Sequence, residues 1–248
     1  HTPAGTPLPG GNTPRPSIRG VKPGDHNIPA DVQLAMQSLD SMLANYVLVR
    51  QVGKGGMGTV LRAWDRKLAR YVAIKFLNAQ TEGDVARFQR EAQLAAGLRH
   101  PNIAPIYEYG EHNGQWFLAM EFVDGSSLEK SKMTVEEIVD LMAPISLAVD
   151  YAHQQGVIHR DIKPQNVMLT SSKWPYIMDF GLAKQVEGGT ELSAIGSVMG
   201  TPSYMPPEQA QGDTEHIDRR SDVYSLGATR YQLCAGQPPF SGKTPMEI

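Results

Sequence analysis

The 248-residue chain has 41% hydrophobic and 20% charged residues, a composition typical of a soluble globular protein. Its formal net charge of −3 provides no overall basic field, so we expect no nucleic-acid partner. The single cysteine, Cys234, cannot form an internal disulfide and favours a reducing, cytoplasmic setting over secretion. No apolar run approaches the roughly 20 residues that span a bilayer. Because the chain opens on His1 rather than methionine, we expect a piece of a longer protein, which leaves room for a membrane anchor outside it.

Residues 1–45 are expected to form a linker ahead of the folded domain. About the first 30 residues are dense in Pro, Gly and Thr, a composition that buries too little apolar surface to fold and predicts a flexible segment. Over residues 31–43 the pattern favours a short helix that carries Leu34, Leu39 and Leu43 roughly on one side.

From Tyr46 the pattern changes to short β-type runs separated by glycines and charged turns, as in a small antiparallel sheet. The segments predicted after these runs are a helix over 84–98, strands over 103–109 and 115–122, and a long helix over 134–155. Thr134 followed by Glu137 fits a capping box at the start of the long helix. A β-rich half followed by a helical half predicts an α+β fold with two lobes and a cleft between them.

A glycine-rich turn between the first two strands is the first candidate site. Gly53, Gly55 and Gly58 would let the backbone approach phosphate oxygens and bond them through its N–H groups. Such a pattern is weak alone, and a flexible hairpin explains it equally well. A dinucleotide-binding fold would need a helix directly afterwards, whereas a β-type run follows here. The P-loop pattern is absent.

A strand lysine and a helix glutamate form the next candidate pair. Side chains alternate along a strand, so Ala73 and Lys75 share a face, where the small alanine leaves room for a flat ring and the lysine reaches phosphate. Glu91 falls on the apolar stripe of its helix, and a buried carboxylate needs a partner such as Lys75. Two alternatives stay open: Lys75 lies on a strand rim in solvent, or Glu91 pairs with Arg87 one turn earlier.

The strongest signal is a polar loop flanked by apolar runs in residues 157–169. Within it, Asp161 can accept a proton from a hydroxyl, Lys163 can neutralise charge on a phosphoryl group, and Asn166 can bind Mg²⁺. A short strand then ends in Asp179-Phe180-Gly181, eighteen residues after Asp161. Asp179 offers oxygen ligands for a second metal contact.

These segments, in this order, resemble the protein kinase family. The resemblance runs from about Tyr46 to the C-terminus and is closest to bacterial serine/threonine kinases of the eukaryotic-like type. The motifs that carry it are the three glycines, VAIK ending at Lys75, HRDIKPQN, DFG and a Pro-Pro-Glu ending at Glu208. The resemblance implies a kinase domain over 46–248, with an N-lobe over 46–123 and a C-lobe over 124–248.

The resemblance implies a role for individual residues in a reaction that uses ATP and Mg²⁺. Asp161 would be the catalytic base, with Lys163 beside the γ-phosphate. Lys75 would hold the α- and β-phosphates and pair with Glu91. The metal ligands would be Asn166 and Asp179. The nucleotide would contact Gly53, Gly55, Gly58, Val60, Ala73, Lys75, Met120, Glu121, Val123 and Met168.

Protein hydroxyls are the implied acceptors, because a lysine two residues after the catalytic aspartate marks serine/threonine specificity in this family. Thr201 would lie beside the acceptor, and Asp222 would brace the catalytic loop. The segment between Asp179 and Glu208 resembles an activation loop. The kinase itself would be a substrate there, at Ser193, Ser197 or Thr190, and Arg160 would pair with the added phosphate.

Two departures from the family pattern qualify this interpretation. Pro206 stands where the family usually has alanine, and the chain stops at Ile248, which leaves the implied C-lobe incomplete. Two rival functions also stay open. A catalytically silent pseudokinase would serve as a scaffold, although all five central polar residues are present. A small-molecule kinase would share the base and the metal ligands but generally lacks the glycine-rich turn.

Overall fold

The structure is a computed structural model that describes residues 28–55, 58–77, 82–180 and 202–242. Six strands form its N-terminal sheet: β1 (Met42–Leu43), β2 (Tyr46–Gly55), β3 (Gly58–Asp65), β4 (Arg70–Phe76), β5 (Ile106–His112) and β6 (Gln115–Glu121). They pair antiparallel in the order β1-β2-β3-β4-β6-β5. One long helix, α2 (Glu82–Ala96), packs against β5.

A short helix, α1 (Ala30–Ala35), precedes the sheet and ends sooner than the sequence predicts. A 3₁₀ turn follows at Leu39–Ser41, and then β1 begins. Leu34 and Leu39 are 68% and 90% exposed, so the prediction of one helix over 31–43 with a leucine face is wrong.

Val32 is the residue that docks α1 on the sheet. Its side chain is fully buried against Val47 and Trp64. The reason for the failed prediction is that a helix this short takes its orientation from tertiary packing rather than from its own spacing of apolar residues. The packed part of the described chain therefore begins ahead of the boundary predicted at Tyr46, and residues 1–27 lie outside the described residues.

The second half is mainly helical. Its elements are β7 (Gly125–Ser127), α3 (Val135–Gln154), β8 (Val167–Thr170), β9 (Pro175–Ile177), α4 (Pro207–Ala210) and α5 (Arg219–Ala235). The three strands form a small antiparallel sheet in the order β7-β8-β9. The capping box of α3 is confirmed, since the Glu137 N–H donates to Thr134 Oγ1 at 3.3 Å and Glu137 Oε2 accepts from the Thr134 N–H at 2.9 Å.

One apolar cluster joins the two halves. It combines side chains of β4, β6 and α2 with side chains of α3, β8 and β9, among them Ala73, Leu118, Ala92, Ile138, Ile145, Val167 and Ile177. The α+β, two-lobed prediction is confirmed. The segment between β6 and β7 connects the lobes. Because the shared cluster includes side chains of β4, β8 and β9, the ends of these strands lie close together between the lobes.

Candidate active site

A buried carboxylate on α5 holds the start of the polar loop. Asp222 is 0% exposed, and it accepts hydrogen bonds from the backbone N–H groups of His159 and Arg160, both at 2.8 Å. His153 Nε2 lies 2.7 Å from Asp222 Oδ2. Burial is the largest single influence and acts to raise the pKa of Asp222, but the hydrogen bond from His153, the nearby His159 and the two backbone hydrogen bonds outweigh it and lower the pKa. The carboxylate therefore stays ionised and fixes the backbone just before Asp161.

Asp161 is oriented by two donors from its own loop. Lys163 Nζ lies 2.9 Å from Oδ1 and 2.8 Å from Oδ2 of this carboxylate. Asn166 Nδ2 donates to Asp161 Oδ2 at 2.8 Å and to the Asp161 carbonyl at 2.7 Å. Asn166 is placed by the 3₁₀ turn Pro164–Asn166. The three polar residues predicted in the loop thus form one hydrogen-bonded group.

The residues after β9 are tied to this loop through the backbone. The Met178 N–H donates to the Asn166 carbonyl at 2.9 Å, and His159 Nε2 lies 2.9 Å from the Met178 carbonyl. Asp179 follows with φ of 60°, a left-handed conformation that is uncommon outside glycine and concentrates at functional sites. Phe180 is buried, with its ring 4.7 Å from the His159 ring.

An ion pair crosses from the first lobe to this strand end. Lys75 Nζ on β4 lies 2.9 Å from Asp179 Oδ2. Lys75 is 4% exposed, so the alternative of a lysine on a strand rim in solvent is wrong. A buried ammonium requires a partner, and the second lobe supplies it.

Glu91 on α2 contacts the polar loop from the other side. Its Oε1 lies 3.5 Å from Arg160 Nη1. The structure thus places Asp179 against Lys75 and Arg160 against Glu91, and the direct pairing of Lys75 with Glu91 stays a prediction. The side chain of the alternative partner, Arg87, lies outside the described residues.

The five central polar residues of the predicted site are therefore brought together. Each is joined to the next by a direct contact or by the contact of an immediate neighbour in the chain. These residues are Lys75, Asp179, Asn166, Asp161 and Glu91.

The apolar residues predicted to contact the nucleotide belong to two buried clusters. Ala73 and Met120 face each other across β4 and β6 and are buried in the main cluster, against which Val60 packs. Val123 is buried in a second cluster, and Met168 packs against that one.

The glycine-rich turn opens β3, as the sequence predicts, and Gly55 pairs with Gly58 across it. Gly56 and Met57 lie outside the described residues. Gly58 has φ of +130°, and a Cβ there would meet the Phe76 carbonyl oxygen at 2.0 Å. A Cβ on Gly53 would meet Val60 at an ordinary 3.7 Å. Of Gly53 and Gly58, it is therefore Gly58 at which the backbone itself requires glycine.

The connection between the lobes is held from both sides. Glu121 is buried, and its Oε2 accepts a hydrogen bond from the Tyr107 hydroxyl. The next residue, Phe122, has its ring 5.3 Å from the Arg62 guanidinium and 6.4 Å from the Tyr71 ring.

Sequence reasoning missed His159, Arg62 and Tyr71. His159 is fully buried, and its Nδ1 accepts the Asp161 N–H at 3.2 Å. Its position between an apolar pair and a charged arginine was a usable signal. Nothing in the local pattern of β3 or β4 marks Arg62 or Tyr71, because their partners are distant in the chain.

Several predicted residues cannot be placed. Gly181, Thr190, Ser193, Ser197 and Thr201 lie outside the described residues. Beyond them, Glu208 Oε1 accepts a hydrogen bond from Ser221 Oγ at 2.5 Å. Gln209 Nε2 donates to the Arg160 carbonyl at 3.2 Å, so α4 packs next to the polar loop.

None of the helices in the described part of the chain has the length and apolar character needed to cross a membrane. Within the same ranges, no three His, Cys, Asp or Glu side chains gather as a candidate metal site.

The fold thus has two lobes, and a buried lysine from the β-sheet of one lobe contacts an aspartate at the end of a strand in the other. The family model described as "Protein kinase domain" matches residues 46–248. The chain belongs to the protein kinase family, and similar proteins are named as serine/threonine-protein kinases.

Two bacterial proteins illustrate this similarity. Serine/threonine-protein kinase PknB of Mycobacterium leprae is 39% identical over 215 residues, which cover 82% of this chain and 34% of that protein. Serine/threonine-protein kinase PknJ of Mycobacterium bovis is 42% identical over 82% of this chain and 36% of its own length. This chain thus spans about a third of the curated relatives it matches.

Solved structures agree with this assignment. The kinase domain of Mycobacterium tuberculosis PknI superposes with a TM-score of 0.67 at 34% identity, covering 82% of this chain and 80% of that one. The expected kinase fold is confirmed.

Proposed function

We propose that this chain is a catalytic domain that transfers the γ-phosphoryl group of ATP to serine or threonine hydroxyls of proteins, with Mg²⁺. The observation that carries the proposal is the contact between the buried Lys75 and the partly buried Asp179, 2.9 Å across the two lobes, next to a loop that orients Asp161. The relatives named as serine/threonine-protein kinases support the acceptor type.

Asp161 is the group suited to accept the proton of the attacking hydroxyl. Lys163 and Asn166 fix its carboxylate from two directions, so the base is oriented before an acceptor arrives. Lys163, already 2.8 Å from Asp161, supplies a positive charge at the point where negative charge develops on the phosphoryl group. Positioning and charge are the main contributions a protein can make to this reaction.

The residues present fit a nucleotide with its metal. Asp179 and Asn166 carry the oxygen ligands that Mg²⁺ prefers, and such sites take their other ligands from phosphate and water. When bound, Mg²⁺ would neutralise charge on the phosphates. Lys75 and Asp179 neutralise each other's charge. When the nucleotide and its metal are bound, Lys75 would take a phosphate as its anionic partner in place of Asp179, and Asp179 would take Mg²⁺ as its cationic partner in place of Lys75. Val60, Ala73 and Met168 would sandwich the adenine, and Met120 would occupy the gatekeeper position. Gly53, Gly55 and Gly58 would approach the phosphates, and the backbone of Glu121 and Val123 would bond the adenine edge.

Regulation by phosphorylation of the chain itself belongs to the same proposal. Arg160 is next to Asp161 and 3.5 Å from Glu91, so a phosphate that attracts this guanidinium would act directly on the site. Ser193, Ser197 and Thr190 are the candidate acceptors. Mass-spectrometric mapping of the active protein should find phosphate on at least one of them, and an active protein without any would contradict this part.

The test of the main proposal is transfer from radiolabelled ATP to a panel of acceptors. We expect label on protein and peptide serine or threonine, and none on aminoglycosides or choline. Asp161→Asn should lower kcat about 10²- to 10⁴-fold, the usual contribution of a general base. Asp140→Asn, an exposed change on α3, is the matched control and should retain activity.

Three results would contradict the proposal. Unchanged transfer by Asp161→Asn would remove the assigned base. Nucleotide binding by the wild type without transfer to any acceptor would favour a pseudokinase. Label on the small molecules alone would favour a small-molecule kinase.

A further inference from the structure

The N-terminal helix α1 is connected to the β-sheet by a charged side chain as well as by Val32. Asp31 Oδ1 accepts a hydrogen bond from the Tyr71 hydroxyl at 2.6 Å, and Asp31 Oδ2 lies 3.5 Å from Arg62 Nη2. Arg62 in turn stacks on Tyr71, with its guanidinium 3.6 Å from the ring centroid. One carboxylate of α1 thus contacts side chains from both β3 and β4.

These two side chains continue the surface predicted to cover the adenine. Alternation along β3 puts Arg62 on the same face as Val60, and alternation along β4 puts Tyr71 on the same face as Ala73. Arg62 and Ala73 are register partners. The stack of Arg62 and Tyr71 therefore lies one step further along the two strands, directly beside the predicted adenine contacts.

The same stack reaches the connection between the lobes. Phe122 lies 5.3 Å from the Arg62 guanidinium and 6.4 Å from the Tyr71 ring. Its neighbours on either side are Glu121 and Val123, whose backbone groups are proposed to bond the adenine edge. A shift of the Phe122 side chain would move both of these backbone groups.

Asp31 is the group that fixes this stack. Among the described residues, it is the carboxylate in ion-pair contact with Arg62, whose Nε is buried without a hydrogen-bond partner. The Tyr71 hydroxyl is protonated at neutral pH and donates a hydrogen bond to Asp31; burial, followed by this hydrogen bond, raises the pKa of Tyr71 further, to about 12. Without Asp31, both side chains lose the contact that sets their direction.

We propose that Asp31 is a positioning residue for nucleotide binding, acting through Arg62 and Tyr71 on Phe122 and so on the backbone of Glu121 and Val123. The inference rests on the proposed function, because it needs ATP in the cleft. It makes α1 part of the nucleotide site rather than part of a linker.

The experiment compares Asp31→Ala with wild type in the full chain, measuring KM for ATP, kcat, and the Kd for ATP by calorimetry. We expect KM and Kd to rise about 3- to 10-fold, the usual range for a residue that acts through intermediates, with kcat within about twofold of wild type. Asp31→Asn keeps an acceptor for Tyr71 and loses the charge toward Arg62, so its effect should be smaller. Asp40→Ala, exposed in the following 3₁₀ turn, is the matched control.

A merely structural role would give a different result. Loss of stability alone lowers the active fraction, and therefore the apparent kcat, without changing KM. That outcome for both Asp31 variants would overturn the proposal, as would an unchanged Kd. If the wild type itself binds no ATP, the proposed function fails first, which is a distinct outcome.

A double-mutant cycle tests the route through Phe122. Phe122→Leu should itself weaken ATP binding, and Asp31→Ala should have little further effect in the Phe122→Leu background, because the route is already cut. Additive effects on Kd would show that Asp31 acts independently of Phe122 and would overturn the proposal.

Discussion

Two aspartates, each on a helix, brace the two sides of the cleft, and they differ in burial. Asp222 on α5 holds the backbone before Asp161 and is 0% exposed. Asp31 on α1 holds the Arg62 and Tyr71 stack beside the lobe connection, and its side chain is 40% exposed. On both sides of the cleft a helix aspartate accepts hydrogen bonds from groups that it holds in place. Water can replace the aspartate as a partner only at the half-exposed Asp31.

The difference in burial predicts how much each aspartate contributes to stability. Removing a buried carboxylate leaves its donors unsatisfied, which costs about 1–3 kcal/mol for each group. Removing a half-exposed carboxylate lets water replace it, and such ion pairs contribute about 0–1 kcal/mol. We therefore expect the polar loop to be rigidly anchored. The stack of Arg62 and Tyr71 beside the connection between the lobes should depend on smaller interaction energies.

The largest expected effect comes from Asp222→Ala. The backbone N–H groups of His159 and Arg160 lose their acceptor, so the free energy of unfolding should fall by about 3–5 kcal/mol. Urea denaturation of the full chain measures the change. Asp31→Ala is the matched variant on the other side and should cost less than about 1 kcal/mol. Equal losses for the two variants would break the comparison.

The second prediction concerns acid. The pKa of Asp222 is lowered from its ordinary value of 3.8, so its ionised form stabilises the fold at pH above that value, and this stabilisation is lost as pH falls through the lowered pKa. Unfolding of wild type and Asp222→Asn is compared from neutral pH downward. The difference in unfolding free energy should be constant above about pH 5 and shrink below the ordinary value. A gap that stays constant through the acid range would contradict it.

The part of the site that the sequence could predict is the part whose chemistry is local in the chain. Asp161, Lys163 and Asn166 stand within six residues of one another, and the structure finds them in mutual contact. Their chemistry is local, so one short pattern holds it. Strand alternation likewise predicted Lys75 and Ala73 on one face, and the capping box predicted the start of α3.

Contacts between residues far apart in the chain could not be predicted from a local pattern. Asp31 and Tyr71 are 40 positions apart, and Glu91 is 69 positions from Arg160. No local pattern selects one of several possible partners for a charged side chain, so the sequence alone leaves the partners of Lys75 and Glu91 open. In α1 the spacing of the leucines predicts the wrong side of the helix as the buried one, because Val32 is the residue that packs against the sheet.

A third prediction separates apolar docking of α1 from its charge contact. Val32→Ala removes two buried methyl groups and should lower the free energy of unfolding by about 2 kcal/mol, at roughly 0.8 kcal/mol per group plus a small cavity. Leu34→Ala on the same helix is the control, because Leu34 is 68% exposed, and it should change stability by less than about 0.5 kcal/mol. The reverse ranking would mean that the leucine face docks after all.

The smallest expected effect is a salt dependence that only the half-exposed aspartate shows. The pair of Asp31 and Arg62 is partly open to solvent, so its attraction should weaken when the screening length falls from roughly 10 Å at 0.1 M salt to roughly 3 Å at 1 M. The buried contacts of Asp222 are beyond the reach of such screening. The stability difference between wild type and Asp31→Asn should therefore shrink by a few tenths of a kcal/mol over this range, while the difference for Asp222→Asn stays constant.

Paired urea titrations at the two salt concentrations measure both differences, and common effects of salt on the fold cancel within each pair. Equal salt dependence at both sites would mean that burial does not distinguish the two braces, and salt-independent values at Asp31 would assign its contribution to the Tyr71 hydrogen bond instead of the ion pair.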